Sequence, residues 1–106
     1  MKKKIAILGS TGSIGKTLIE IINNDKKSFE VLLLTANKDY LTLYKQAKKF
    51  NVKNLIITDK KSFIKSKIFY KGKKIKIFKN FEHLKSILPK KVDYVMSAIS
   101  GIGGLL

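Results

Sequence analysis

The chain has no cysteine, no tryptophan and no arginine, a single proline (Pro89), a single histidine (His83) and only seven carboxylates in 106 residues. Each shortage removes a class of function. Without cysteine there is no disulfide framework, no thiolate nucleophile and no thiolate-held metal, and one histidine cannot build a histidine-rich site. No stretch approaches the roughly 18 apolar residues that a membrane-spanning helix requires. The first apolar run, Ile5-Ala6-Ile7-Leu8, stops at Gly9, too short for the core of an export signal even behind Lys2, Lys3 and Lys4. The cytoplasm is therefore the expected setting.

What the chain has in excess is lysine. All 23 basic residues are lysine, against seven acids, for a net charge of +16. A basic domain is drawn to phosphate, so a nucleotide- or nucleic-acid-binding module without enzymatic activity is the alternative reading to weigh. Two facts weaken it. Arginine, whose fork matches phosphates and guanine edges, is missing. Lysine, isoleucine and asparagine are also abundant together, as the codons of an AT-rich genome dictate, which places lysine on every face rather than in one patch.

At this length one hydrophobic core is expected, and the periodicity places its elements. Lys4-Ile5-Ala6-Ile7-Leu8 reads as a strand buried on both faces. Ser13 to Asn23 carries Ile14, Leu18, Ile21 and Ile22 at the spacing of an amphipathic helix. Phe29 to Thr35 is a second strand, followed by a helix from Asp39, a candidate N-cap, to Phe50 with Leu43 and Ala47 inward. Asn54 to Thr58 is a third strand, after which Asp59 starts a helical turn through Phe63 and Ile64. Lys74-Ile75-Lys76-Ile77-Phe78 alternates like a partly exposed strand with lysines guarding its edge. A short helix is expected over Phe81–Leu88, stopped by Pro89, and a last buried strand over Val92–Ala98. Strands alternating with helices imply right-handed crossovers. The fold class is then α/β, a Rossmann-like doubly wound, mainly parallel sheet with helices on both faces.

The segment with chemical meaning is Gly9-Ser10-Thr11-Gly12-Ser13-Ile14-Gly15, between the first strand and the first helix. Gly9 suits a tight turn, Gly12 allows a pyrophosphate to approach the backbone, and Gly15 allows close packing of helix on sheet. The helix start supplies free N–H groups and the positive end of the dipole, and Thr11 and Ser13 add hydroxyls. A P-loop is excluded although Gly15-Lys16-Thr17 resembles its end, because Ser10 stands where its first glycine must be. Lys16 is then a solvated helix residue. At the end of the second strand, Thr35-Ala36-Asn37-Lys38-Asp39 has neutral residues where NAD-specific folds put an acid, and Lys38 can meet a 2′-phosphate, so NADPH is favoured. Asp39 suits two roles, capping the following helix or standing near the adenosine ribose. His83 reads as a surface or helix-packing histidine, and Asp25, Asp59, Glu82 and Asp93 are scattered, without metal-ligand spacing; no catalytic residue and no metal ligand is assigned.

The run Ile5-Ala6-Ile7-Leu8-Gly9-Ser10-Thr11-Gly12-Ser13-Ile14-Gly15-Lys16-Thr17-Leu18 resembles the opening of the 1-deoxy-D-xylulose 5-phosphate reductoisomerase family. Leu34–Lys38 resembles the family's second strand and cofactor turn, and Met96–Leu105 its later strand and glycine-rich turn. The resemblance implies a reaction that rearranges and reduces 1-deoxy-D-xylulose 5-phosphate to 2-C-methyl-D-erythritol 4-phosphate with NADPH and a divalent metal (magnesium or manganese), in non-mevalonate isoprenoid synthesis. It implies that Thr11, Gly12, Ser13 and Ile14 hold the pyrophosphate and Asn37, Lys38 and Asp39 the adenosine side, with Ala98 and Ile99 toward the nicotinamide. Asn37 and Asp39 depart from the family's usual Gly-Lys-Asn wording. Residues 1–106 correspond to the NADPH-binding domain, the metal ligands, catalytic and C-terminal domains lying in sequence beyond position 106. The chain alone is expected to bind cofactor without turnover. The family implies a homodimer, no membrane, and a bacterial cytoplasm or plastid-type organelle.

Overall fold

The structure, a computed structural model, describes residues 3–82 and 92–97. His83, nearly all of the helix expected over Phe81–Leu88, Ala98, Ile99 and the glycine-rich end fall outside them. The elements follow as β1 (Lys3–Leu8), α1 (Ser13–Asn23), a short 3-10 turn (Lys26–Ser28), β2 (Phe29–Ala36), α2 (Tyr40–Phe50), β3 (Asn54–Ile57), α3 (Lys60–Phe69), β4 (Lys76–Phe78) and β5 (Tyr94–Ser97). The strands lie side by side as β4-β3-β2-β1-β5, every pairing parallel. The chain thus steps outward from β1 to β4, and β5 then pairs on the other side of β1. That reversal sets the crevice at the carboxyl ends of β1 and β5, where ligands bind in open α/β sheets.

The larger core lies on one face. Ile5 and Ile7 of β1, Val31, Leu34 and Ala36 of β2, and Leu55 and Ile57 of β3 pack with Ile19 and Ile22 of α1 and Leu43 and Ala47 of α2. Phe63 of α3 and Tyr70, just past it, join the same cluster. All three described helices therefore cover the same side of the sheet, as right-handed crossovers moving in one direction require. Ala6, Leu33 and Ile56 form a smaller cluster on the other side, with Leu8 and Phe78 against it.

In β2 the inward positions Val31 and Leu34 are three apart because β1 and β2 slip by a residue. Ile5 pairs with Val31 but Ala6 with Leu33, leaving Leu32 as the extra residue of a bulge. Beyond it Leu34 and Ala36 face the main core, and Leu33 faces the opposite side.

Two expectations need correction. In α1 the buried residues are Gly15, Ile19 and Ile22, while Ile14 and Ile21 are 54% and 57% exposed; the inward stripe runs through Leu18 and Ile19, one position round from the expected one. Near the carboxyl end, Val95 is 48% exposed, so β5 is not a fully buried strand. Its entry is fastened to β1 by Asp93, whose N–H donates to Lys4 O (2.8 Å) and whose Oδ2 accepts from Lys4 N–H (2.6 Å).

The helix starts follow from their caps. Asp39 Oδ1 accepts from Thr42 N–H at 3.1 Å, and Asp59 Oδ2 accepts from Ser62 N–H at 3.0 Å and Ser62 Oγ–H at 2.9 Å. Asn51 closes α2 in the left-handed region, at φ 54°. Helix α3 runs further than its loose apolar pattern suggests, because it buries Ser62 and Ser66 and leaves Ile64 and Ile68 in solvent. Aromatic rings join it to α2: Tyr44 meets Phe69 edge-on with centroids 5.2 Å apart, and the Tyr70 hydroxyl donates to Tyr40 O at 2.6 Å.

Gly15 is fixed by packing. A Cβ there would overlap the Gly9 carbonyl oxygen and lie 2.6 Å from Ser10 C and Cα. Gly15→Ala is expected to lower stability by about 2–3 kcal/mol, read from urea unfolding, because the obstacle is backbone that cannot move aside. A second outcome concerns Tyr70. Its burial, with smaller contributions from Tyr44, Tyr40 and Asp39, raises the phenol above its ordinary value of 10.0. A raised folded-state value means that the stabilisation is complete below about pH 10 and is lost as the pH rises beyond it. Tyr70→Phe should cost about 1 kcal/mol at neutral pH and flatten the alkaline decline in a pH series of unfolding curves.

Candidate cofactor site

The loop between β1 and α1 is held from below by buried polar groups. Ser10 N–H donates to Thr35 O at 2.9 Å, and Gly9 N–H donates to Thr35 Oγ1 at 2.8 Å. Ser10 Oγ–H donates to Gln46 Oε1 at 2.7 Å, while the Gln46 amide returns a hydrogen bond to Ser10 O at 2.9 Å. Ser10, Thr35 and Gln46 are 0%, 2% and 7% exposed, and no buried side-chain nitrogen or oxygen among the described residues lacks a partner. Three elements, β1, β2 and α2, are thereby locked at one point beneath the loop. Sequence reading passed over Gln46 because it followed the apolar stripe of α2; the signal was a glutamine between the inward Leu43 and Ala47.

Above this base the expected site residues come together. Thr11 is half-buried, Gly12, Ser13 and Ile14 are exposed, and Asn37, Lys38 and Asp39 are exposed at the end of the adjacent strand β2. The two segments thus border one carboxyl edge of the sheet. Gly9 adopts φ 76°, in the left-handed region where glycine is favoured. Gly12 is the N-cap residue of α1, and no side chain caps this helix, in contrast to α2 and α3. Its first N–H groups open onto the loop with the positive end of the helix dipole behind them. Lys16 is exposed, as a solvated helix residue should be.

At the second segment Asp39 caps α2 with one carboxylate oxygen, which realises the first of its two expected roles. Hydrogen bonds from Ser62 hold the Asp59 carboxyl below its ordinary value against an opposing cost of desolvation, with lesser help from Lys38 and Lys61. Asp39, next to Lys38 in sequence, and Asp59, which feels its charge, thus each cap a helix. The edge offers free N–H groups, hydroxyls and an ammonium, an arrangement suited to a large anion. Among the described residues no group of three or more histidine, aspartate or glutamate side chains could hold a metal ion, and no helix is long and apolar enough to cross a membrane.

Comparison with known proteins agrees with this geometry. The family model for 1-deoxy-D-xylulose 5-phosphate reductoisomerase matches residues 5–106. A protein of that name from Pelagibacter ubique is 53% identical over 105 residues, covering 97% of this chain and 27% of its own length. Another from Thermodesulfovibrio yellowstonii is 38% identical, covering 98% of this chain and 27% of its own length. Among solved structures, the Zymomonas mobilis reductoisomerase in complex with NADPH superposes with a TM-score of 0.80 at 27% identity, over 93% of this chain and 26% of that one. A reductoisomerase in complex with NADPH, fosmidomycin and magnesium gives 0.76 at 27% identity, over 92% of this chain and 24% of that one. The chain spans about a quarter of the length of the relatives it matches. A glycine loop on a polar base, an uncapped helix start and a match that runs through nearly every residue have one reading in common: the chain belongs to the 1-deoxy-D-xylulose 5-phosphate reductoisomerase family.

Proposed function

We propose that this chain is the NADPH-holding part of a 1-deoxy-D-xylulose 5-phosphate reductoisomerase, with Thr11, Gly12, Ser13 and Ile14 around the pyrophosphate and Asn37, Lys38 and Asp39 on the adenosine side. The observation that carries this reading is the contrast among three glycines. Gly9 is needed for its positive φ and Gly15 for the closeness of backbone behind it. Gly12 has φ −75° and ψ 174°, open to any residue, and a Cβ there would meet only the Gly9 carbonyl oxygen, at an ordinary 3.7 Å. The protein's own packing does not call for glycine at this position. A pyrophosphate lying across the uncapped start of α1 does.

The NADPH bound in two of the similar structures supports the same assignment. NADPH over NADH follows from the end of β2, where Asn37 stands in place of an acid, Lys38 supplies positive charge, and Asp39 turns to its helix. When bound, NADPH would supply the hydride for reduction of the sugar phosphate; these residues bind and orient it. The pairing of two copies and a cytoplasmic or plastid setting belong to the same proposal. The alternative, a basic module for nucleic acid, rests on the net charge alone, and the described lysines are spread through helices, strands and turns.

Calorimetric titration with NADPH, NADH and a short DNA duplex at physiological salt tests the reading. NADPH should bind most tightly; duplex binding with no dinucleotide effect would overturn it. Lys38→Ala should weaken NADPH by about 1.5–3 kcal/mol, roughly 10- to 100-fold, and leave NADH nearly unchanged. Gly12→Val should abolish NADPH binding while the circular dichroism and unfolding midpoint stay near those of the parent, because only the ligand's space is filled.

A further inference from the structure

The turn after β2 is stitched to the turn after β3. Thr58 N–H donates to Ala36 O at 3.1 Å and Asp59 N–H to Asn37 O at 2.9 Å, so the ladder runs on past its last strand pair, Ala36 with Ile57. At the same step the side chains pair: Thr58 Oγ–H donates to Asn37 Oδ1 at 2.8 Å. Both residues are exposed, so burial does not demand this bond. It lies at the carboxyl edge of the sheet, beside Lys38.

A carboxamide has one accepting end and one donating end. With Oδ1 held by Thr58, Nδ2 is the end of Asn37 left for solvent or ligand. The neighbouring Lys38 is donor only, while Asp39 Oδ1 and Asp59 Oδ2 face the starts of α2 and α3. We infer that Thr58 is a positioning residue for cofactor selectivity: by fixing the Asn37 amide it makes the adenosine-side turn present the Asn37 Nδ2 donor beside the Lys38 ammonium, a pair that suits the acceptor-rich 2′-phosphate of NADPH better than a 2′-hydroxyl. The inference rests on the cofactor reading above and adds a residue from the turn after β3, outside the glycine loop and the turn after β2.

Its test is the ratio of NADH to NADPH dissociation constants, measured by titration of the 106-residue chain and of Thr58→Val, Thr58→Ala and Thr58→Ser, with unfolding midpoints taken alongside. Valine and alanine both remove the hydroxyl, so the result does not hang on the fit of one side chain. Both should lower the ratio by about 3- to 10-fold, chiefly through weaker NADPH binding, and serine, which keeps the hydroxyl, should stay within about twofold of the parent. In 15N-labelled protein without cofactor, the Asn37 side-chain amide resonances should shift in the valine and alanine variants and hold in the serine variant. A parent that prefers NADPH, with folded valine and alanine variants that keep its ratio, overturns the role of Thr58 alone. Equal losses for both cofactors also overturn it, as a structural effect. A parent that binds neither cofactor overturns the cofactor reading itself.

Discussion

The site depends on a small set of buried hydrogen bonds between Ser10, Thr35 and Gln46. Apolar contacts can hold helices on a sheet, but they are indifferent to small rotations and slides. Hydrogen bonds at 2.7–2.9 Å are not, because a buried donor or acceptor that drifts from its partner costs on the order of 1–3 kcal/mol. The glycine loop lies over these bonds. Its position is inherited from Ser10 beneath, which is held by β2 through Thr35 and by α2 through Gln46. The two halves of the proposed cofactor site, at the ends of β1 and β2, are thereby set at a fixed separation by the polar groups under them.

The charge distribution has its own consequence for such a site. With +16 and few acids to pair with, most lysines stand in solvent or lean on aromatic rings, as Lys73 does over Tyr44 and Phe69 at 5.4 Å and 5.1 Å. Individually such contacts contribute modestly. Collectively the positive field favours encounter with any polyanion and is screened by salt. Selection among anions must therefore come from local geometry, from the shape of the glycine loop and the direction of the groups at Asn37 and Lys38.

Much of the fold was legible where one physical signal dominated. The spans of α1 and α2 follow the sequence closely because glycine, aspartate and the apolar spacing agree, and β1, β2 and β3 stand out as apolar runs between turns. Asp39 and Asp59 cap as their positions suggest. The illegible parts are those in which polar groups face inward. Gln46 and Ser10 are buried because they satisfy each other, which no single-residue pattern reveals. In α3 serines point to the core and isoleucines to solvent, inverting the usual cue. In α1 the stripe was read one position off because four isoleucines allow more than one face. Thr58 was counted only as the end of a strand, since its link to Asn37 exists only after the crossover from β2 through α2 brings β3 alongside.

The bulge at Leu32 bears on how the chain finds its register. Val31-Leu32-Leu33-Leu34 is nearly uniform in hydrophobicity, so within this run sliding β2 by one residue against β1 exchanges one aliphatic side chain for another. Apolar contact within the run does not by itself select one alignment. Thr35 breaks the tie, since only in the bulged alignment do its carbonyl and hydroxyl oxygens meet Ser10 and Gly9. The strand can assemble roughly through its leucines and then settle by a polar latch at its end. The same threonine that steadies the glycine loop decides which of the degenerate alignments becomes the native one.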